Sequence, residues 1–115
     1  MSYQVNLVDD GGHLVSVNSH SEGGIYVFGG TTEATLNITY NYARVYRNVD
    51  YFSIVQLHNK KARDVSALLE EVVSILGIDR DDDYWKPTNG NAGYALSILL
   101  GWAKQHPEAR FDVES

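Results

Sequence analysis

The chain has 115 residues, 43% hydrophobic content and a formal charge of −6, the profile of one domain with its own core. It contains no cysteine, which excludes disulfides and thiolate metal sites. Its nine Lys and Arg are scattered and outnumbered by fifteen Asp and Glu, so direct duplex nucleic-acid binding is not expected.

The opening Tyr3–Val8 alternates, with Tyr3, Val5 and Leu7 on one side of a strand. Asp9-Asp10-Gly11-Gly12 then reads as a hairpin turn, because Asp-Gly tolerates positive φ. His13–Asn18 returns as a second strand, and Ile25–Phe28 reads as a short apolar third. Ala34–Tyr42 is the clearest strand in the chain. Ala34, Leu36, Ile38, Tyr40 and Tyr42 fall on one face, and Thr35, Asn37, Thr39 and Asn41 on the other. Asn is disfavoured in strands, so two at alternate positions suggest a surface that meets a ligand or a partner's edge, against the plainer reading of a solvated face.

The alternation breaks at Tyr42-Ala43, as at a bulge or bend, and resumes with Arg44 and Tyr46 against Val45 and Arg47; Phe52–Leu57 then reads as a fifth strand. Ala62–Leu76 carries Val65, Leu68, Leu69, Val72 and Leu76 at helical spacing and stops at Gly77. A second helix runs from Asn91 to His106 and ends before Pro107. It is apolar nearly all round, so it belongs at the centre of the fold. The tail Ala109–Val113 suits an edge strand. The expected fold is α+β: a mostly antiparallel sheet of four to six strands with two helices packed on one face, in a single domain over residues 1–115.

Between the helices, Asp79-Arg80-Asp81-Asp82-Asp83 has the first carboxylates of a calcium loop but then fails, with Tyr84 where Gly is needed and Gly90 where Glu is needed. Lys86-Pro87-Thr88-Asn89-Gly90-Asn91-Ala92-Gly93 leads into a helix N-terminus, where free amides suit an anion, though the same residues make an ordinary turn and N-cap. It lacks the Gly-Lys-Ser/Thr order of a P-loop. The four histidines have no metal-ligand spacing and no nucleophile elbow is present, so no metal, cofactor or catalytic residue is assigned. The longest apolar stretch, near Ala95–Ala103, is far short of the about 20 residues of a membrane span, so no membrane association is expected. The N-terminus lacks a basic region followed by an apolar stretch, so export is not expected.

From Ala34 onward the chain resembles a family of small uncharacterised proteins of bacteriophages, prophages and their bacterial hosts. The resemblance is carried by L-N-I-T-Y-N-Y (36–42), K-K-A (60–62), D-D-Y-W-K-P-T-N-G-N-A-G (82–93) and L-L-G-W-A-K-Q-H-P-E-A (99–109) with a closing F-D-V-E. The family loop often reads T-P-G-N-A-G, and here Asn89 replaces that Pro. The resemblance implies a setting, an accessory protein of a mobile element in the cytoplasm of a bacterial host cell. It brings no catalytic residues with it.

The expected function is therefore a non-enzymatic binding protein of a phage or prophage, an antagonist of host defence that binds a host protein or a small nucleotide-like ligand. The expected binding residues are Asn37, Thr39, Asn41, Tyr84, Trp85, Lys86, Asn89 and Asn91. Two alternatives stand beside it. One is a small hydrolase or transferase using Asp81–Asp83 with His58 or Lys86; the other is a homo-oligomeric structural protein.

Overall fold

The computed structural model describes residues 1–23 and 30–115; the expected strand Ile25–Phe28 lies outside the described residues. The order of elements is β1 (Ser2–Val8), β2 (Ser16–His20), β3 (Thr31–Glu33), β4 (Thr35–Thr39), α1 (Ala43–Arg47), α2 (Ala62–Leu76), α3 (Asn89–Gln105) and β5 (Arg110–Glu114). Short 3₁₀ turns at Tyr40–Tyr42 and Ile54–Leu57 precede and follow α1. The class is mixed α+β with antiparallel pairing, as expected.

The sheet differs from expectation in size and order. Among the described residues, three strands form one sheet in the order β4-β1-β5, and β2 pairs with β3 in a separate ribbon. The Asp9 turn does form. Asp9 accepts from the amides of Gly11 (2.9 Å) and His13 (3.0 Å), and Gly12 has a φ of 80°. Yet the returning chain bridges β1 only at Val8–Leu14, because both flanks of β1 are already taken by β4 and β5.

Period-two burial on β1 and β4 puts Val5, Leu7, Leu36 and Ile38 into one core with Phe111 and the inner faces of α2 and α3. The opposite face is a polar ladder across three strands. Gln4 Nε2 donates to Thr35 Oγ1 (2.6 Å), Thr35 Oγ1 to Asn6 Oδ1 (2.7 Å), and Asn37 Nδ2 to Ser2 Oγ (2.8 Å). Asn6 extends the ladder to Asp112. The strand asparagines are thus matched by cross-strand polar partners.

Two expected strands are helical turns. The strand expected to reach Tyr42 ends at Thr39, whose hydroxyl accepts from the amide of Asn41 (3.2 Å) and caps the turn that leads into α1. Tyr42 and Tyr46 then enter the core at helical spacing, each held by its phenol: Tyr42 donates to the carbonyl of Tyr84, and Tyr46 to that of Ala92 at 2.9 Å. The expected strand Phe52–Leu57 instead begins a 3₁₀ turn under a capping box, with Ser53 and Gln56 bonded reciprocally.

The helices match expectation more closely. α2 ends at Gly77 with a φ of 78°. α3 starts two residues earlier than expected, under Thr88, whose hydroxyl accepts from Asn91 N at 3.0 Å. Its burial around the first turn and along Ala95, Leu96, Leu99, Leu100, Trp102 and Ala103 makes it the central helix. No helix among the described residues is long and apolar enough to cross a membrane.

Candidate functional site

The two signature segments, the strand around 34–42 and the loop 79–93, meet in space. Tyr84 is the joint: its phenol donates to the carbonyl of Asn37 (2.9 Å) and accepts from the amide of Thr39 (3.3 Å). Asn41 Nδ2 donates to the carbonyl of Trp85 at 2.9 Å. Asn91 closes the loop from beneath. Its Oδ1 accepts from Asp81 N (2.8 Å), and its Nδ2 donates to the carbonyls of Asp83 (3.0 Å) and Lys86 (2.8 Å). Asn91, only 1% exposed, thereby satisfies three loop groups that the core would otherwise leave unpaired.

The glycines of the N-G-N-A-G signature have a packing role. A Cβ at Gly90 would fall 1.8 Å from the carbonyl oxygen of Asp79, and one at Gly93 would fall 1.8 Å from that of Gly77. The chain leaving α2 crosses the first turn of α3 at backbone contact, and only glycine permits that approach. The segment that resembles an anion cradle in sequence is therefore a clamp between α2, its loop and α3.

The eight expected binding residues split accordingly. Thr39, Tyr84 and Asn91 are buried, and Asn37 is half-buried within the polar ladder. Asn41, Trp85, Lys86 and Asn89 are exposed. Lys86 Nζ lies 3.6 Å from Asp81, and Trp85 packs edge-on against Tyr84 with ring centroids 5.0 Å apart.

Of the alternative acidic centre, Asp81 meets Lys86 at 3.6 Å, whereas His58 is engaged elsewhere. Asp81 and Asp83 each accept from a backbone amide two residues on, at 2.9 Å and 3.0 Å. The bond from Asp83 N, with the charge of Lys86 behind it, holds the Asp81 carboxyl below the usual carboxylate range. A carboxylate so held is a poor general acid. His58 sits instead against β5, 3.7 Å from Asp112, and accepts from the amide of Val113 at 3.0 Å. Among the described residues no three His, Asp or Glu side chains are grouped to hold a metal ion.

A large cavity lies beside the joint. It is an open groove of about 780 Å³ between the Tyr40–Val49 segment, the end of α2 and the loop before α3. Asn41 and Asn89 of the expected set line it, with Tyr40, Arg44, Arg47 and Leu76. None of its described lining residues is acidic, although the chain carries fifteen Asp and Glu. A smaller cavity of about 320 Å³, by contrast, is lined by Asp9, Asp10 and Glu108.

Several cations elsewhere are engaged. Lys61 and Arg63 pair with Glu108, Arg80 stands 4.4 Å over the Tyr94 ring, and Arg110 donates to the carbonyl of Asn59. Among the described residues no carboxylate lies within ion-pair distance of Arg44 or Arg47. Sequence reasoning missed both arginines because it read Arg44–Arg47 as a bent strand, on which residues three apart point to opposite faces. On α1 the same spacing places them as neighbours. No family model, curated protein or solved structure matches the chain.

Proposed function

We propose that the protein is a non-enzymatic binding protein, and that the groove beside α1 takes a small anionic, nucleotide-like ligand. The observation that carries this reading is a pair of arginines that have no carboxylate partner among the described residues and line an open groove of about 780 Å³ in an acidic chain. Two guanidiniums one helical turn apart suit the oxygens of a phosphate. Asn41, Asn48 and Asn89 offer both donors and acceptors to a polar ring edge, and the Tyr40 ring with Leu76 and Pro87 supplies apolar contact. The groove's described lining offers no carboxylate or histidine for chemistry on the bound molecule. The setting is the one implied by the sequence resemblance: a phage or prophage accessory protein that opposes host defence, acting in the bacterial cytoplasm by withholding such a ligand.

Native mass spectrometry of the protein isolated from phage-infected bacteria tests the reading. A small co-purifying mass, released on denaturation and missing from Arg44→Glu/Arg47→Glu protein, is expected. A retained host protein that both charge-reversal forms still hold would replace the ligand with a protein partner. A bare protein running as a closed oligomer would favour the homo-oligomeric alternative.

A further inference from the structure

The carboxylate-free surface continues past Arg47. A second cavity of about 360 Å³ is lined by Tyr3, Ala43, Tyr46, Arg47, Tyr51 and neighbouring residues, again without an acidic side chain among those described. Ala43 and Arg47 line both cavities, so they adjoin across α1. The aromatic wall is continuous as well: Tyr40 of the groove and Tyr3 of the second cavity meet edge to face, with centroids 4.6 Å apart. The charge of Arg47 is felt at the Tyr3 phenol, where it opposes the upward shift caused by burial and by Tyr40.

Tyr51 stands at the rim and is 84% exposed. It follows Asp50 in the left-handed region, with φ of 59° and 51° for the two residues. An aromatic residue is strained there, and strain of this kind concentrates at sites of function. The backbone is held by Tyr51 N donating to Arg47 O (3.1 Å) and Phe52 N to Val49 O (2.9 Å), with Phe52 buried beneath. The chain thus keeps a large ring in water, in a disfavoured conformation, next to a free arginine.

We infer that the two cavities are subsites of one ligand, a phosphodiester-linked pair of nucleotides. One base occupies the groove against Tyr40, the linking phosphate lies on Arg47, and the second base stacks on Tyr51. Aromatic platforms flanking an arginine are how unpaired nucleotides are held without reading their sequence. A single nucleotide would leave the second cavity and Tyr51 unused. The inference rests on the groove reading above and deepens it. The same chemistry is offered by a free dinucleotide and by a short single strand.

Titration calorimetry on the full chain with adenosine monophosphate, the 5′-phosphorylated diadenylate pApA and a six-residue oligoadenylate tests it. The dinucleotide is expected to bind at least tenfold tighter than the monophosphate. Tyr51→Ala, and Tyr51→Asn which tolerates the left-handed backbone, are expected to remove that gain while leaving the monophosphate's affinity unchanged. Arg44→Ala weakens both probes. Equal binding of the two, or Tyr51 variants that leave pApA untouched, overturns the second subsite; the groove reading survives that result if Arg44→Ala still weakens the monophosphate. Failure of all three probes to bind overturns both. A hexanucleotide no tighter than pApA identifies a free dinucleotide, and one that is tighter identifies a strand; either supports the two subsites.

Discussion

Thr39, Tyr84 and Asn91 lie in one hydrogen-bonded cluster and are at most 6% exposed, whereas Arg44, Arg47, Asn41 and Asn89 line an open groove a few residues away. Both regions are polar, and both draw on the segments 34–42 and 79–93, to which α1 adds the two arginines of the groove. They differ in what their polar atoms meet. In the cluster the Tyr84 phenol is matched to the backbone of β4 and the Asn91 amide to the backbone of the loop. In the groove the charges face solvent. Signature residues therefore serve the fold where they are buried and are available to a ligand only where they are not. Changes in the cluster should be read in stability, and changes in the groove in binding.

The glycines test this most severely. Gly93→Ala drives a Cβ onto the carbonyl of Gly77, against backbone that has no rotamer through which to yield. A loss of about 3 kcal/mol or more is expected, measured from urea unfolding midpoints. Gly101→Ala on the same helix meets nothing within 4 Å of the new Cβ. It should gain about 0.5–1 kcal/mol from helix propensity alone. Similar losses at both positions would end the clamp interpretation.

Asn91→Leu comes next, at about 3 kcal/mol, because it leaves the amide of Asp81 and the carbonyls of Asp83 and Lys86 without their partner. Hydrogen exchange would locate the effect: loss of protection is expected in 79–88, with β1 and β5 keeping theirs. Uniform loss would mean that Asn91 supports the whole core rather than the loop.

Tyr46→Phe is milder, about 1 kcal/mol for the bond to Ala92. It also carries a pH signature. Burial holds the Tyr46 phenol well above its ordinary pKa of 10.0. The stability tied to this group is therefore fully present below that ordinary value. It is lost as the pH rises through the interval up to the folded pKa, because the unfolded chain releases the proton first. Wild-type unfolding midpoints should fall more steeply above pH 10 than those of Tyr46→Phe. Tyr3, raised more modestly, leaves a residual slope in the variant.

Much of the fold was legible because its signals were periodic and strong. Ala62–Leu76 repeats its apolar residues at one spacing and ends at a glycine that needs positive φ, so both bounds match. The tail strand and the central role of α3 followed from the same kind of pattern. The segment 40–57 was misread for a physical reason. Tyr40, Tyr42 and Tyr46 are consistent with a period of two across the bend, and only the caps separate the readings. Thr39 as a turn cap and Ser53–Gln56 as a capping box were the signals available. Strand order was not legible either: the Asp9 turn predicts a neighbour for β1, but nothing local says that β4 and β5 will claim both its edges. For the candidate site, the signature motifs named residues of both the buried cluster and the groove, namely Thr39, Tyr84 and Asn91 in the one and Asn41 and Asn89 in the other. The distinction between the cluster and the groove depended on burial, which a motif does not carry.

The smallest stability effect separates the regions most cleanly. Arg44→Ala and Arg47→Ala remove charges that touch no carboxylate among the described residues, so each should alter stability by less than about 0.5 kcal/mol. If either arginine served the fold, its loss would lower the unfolding midpoint and weaken ligand binding in proportion. An unchanged midpoint together with lost binding has a different cause, since a charge pair that contributes nothing to the folded chain contributes only when an anion arrives. Two adjacent cations without carboxylate partners among the described residues attract an anion without first giving up an ion pair of their own. A shift in the midpoint with binding intact would instead return Arg44 and Arg47 to the structural side of the comparison, and the groove would lose its claim to function.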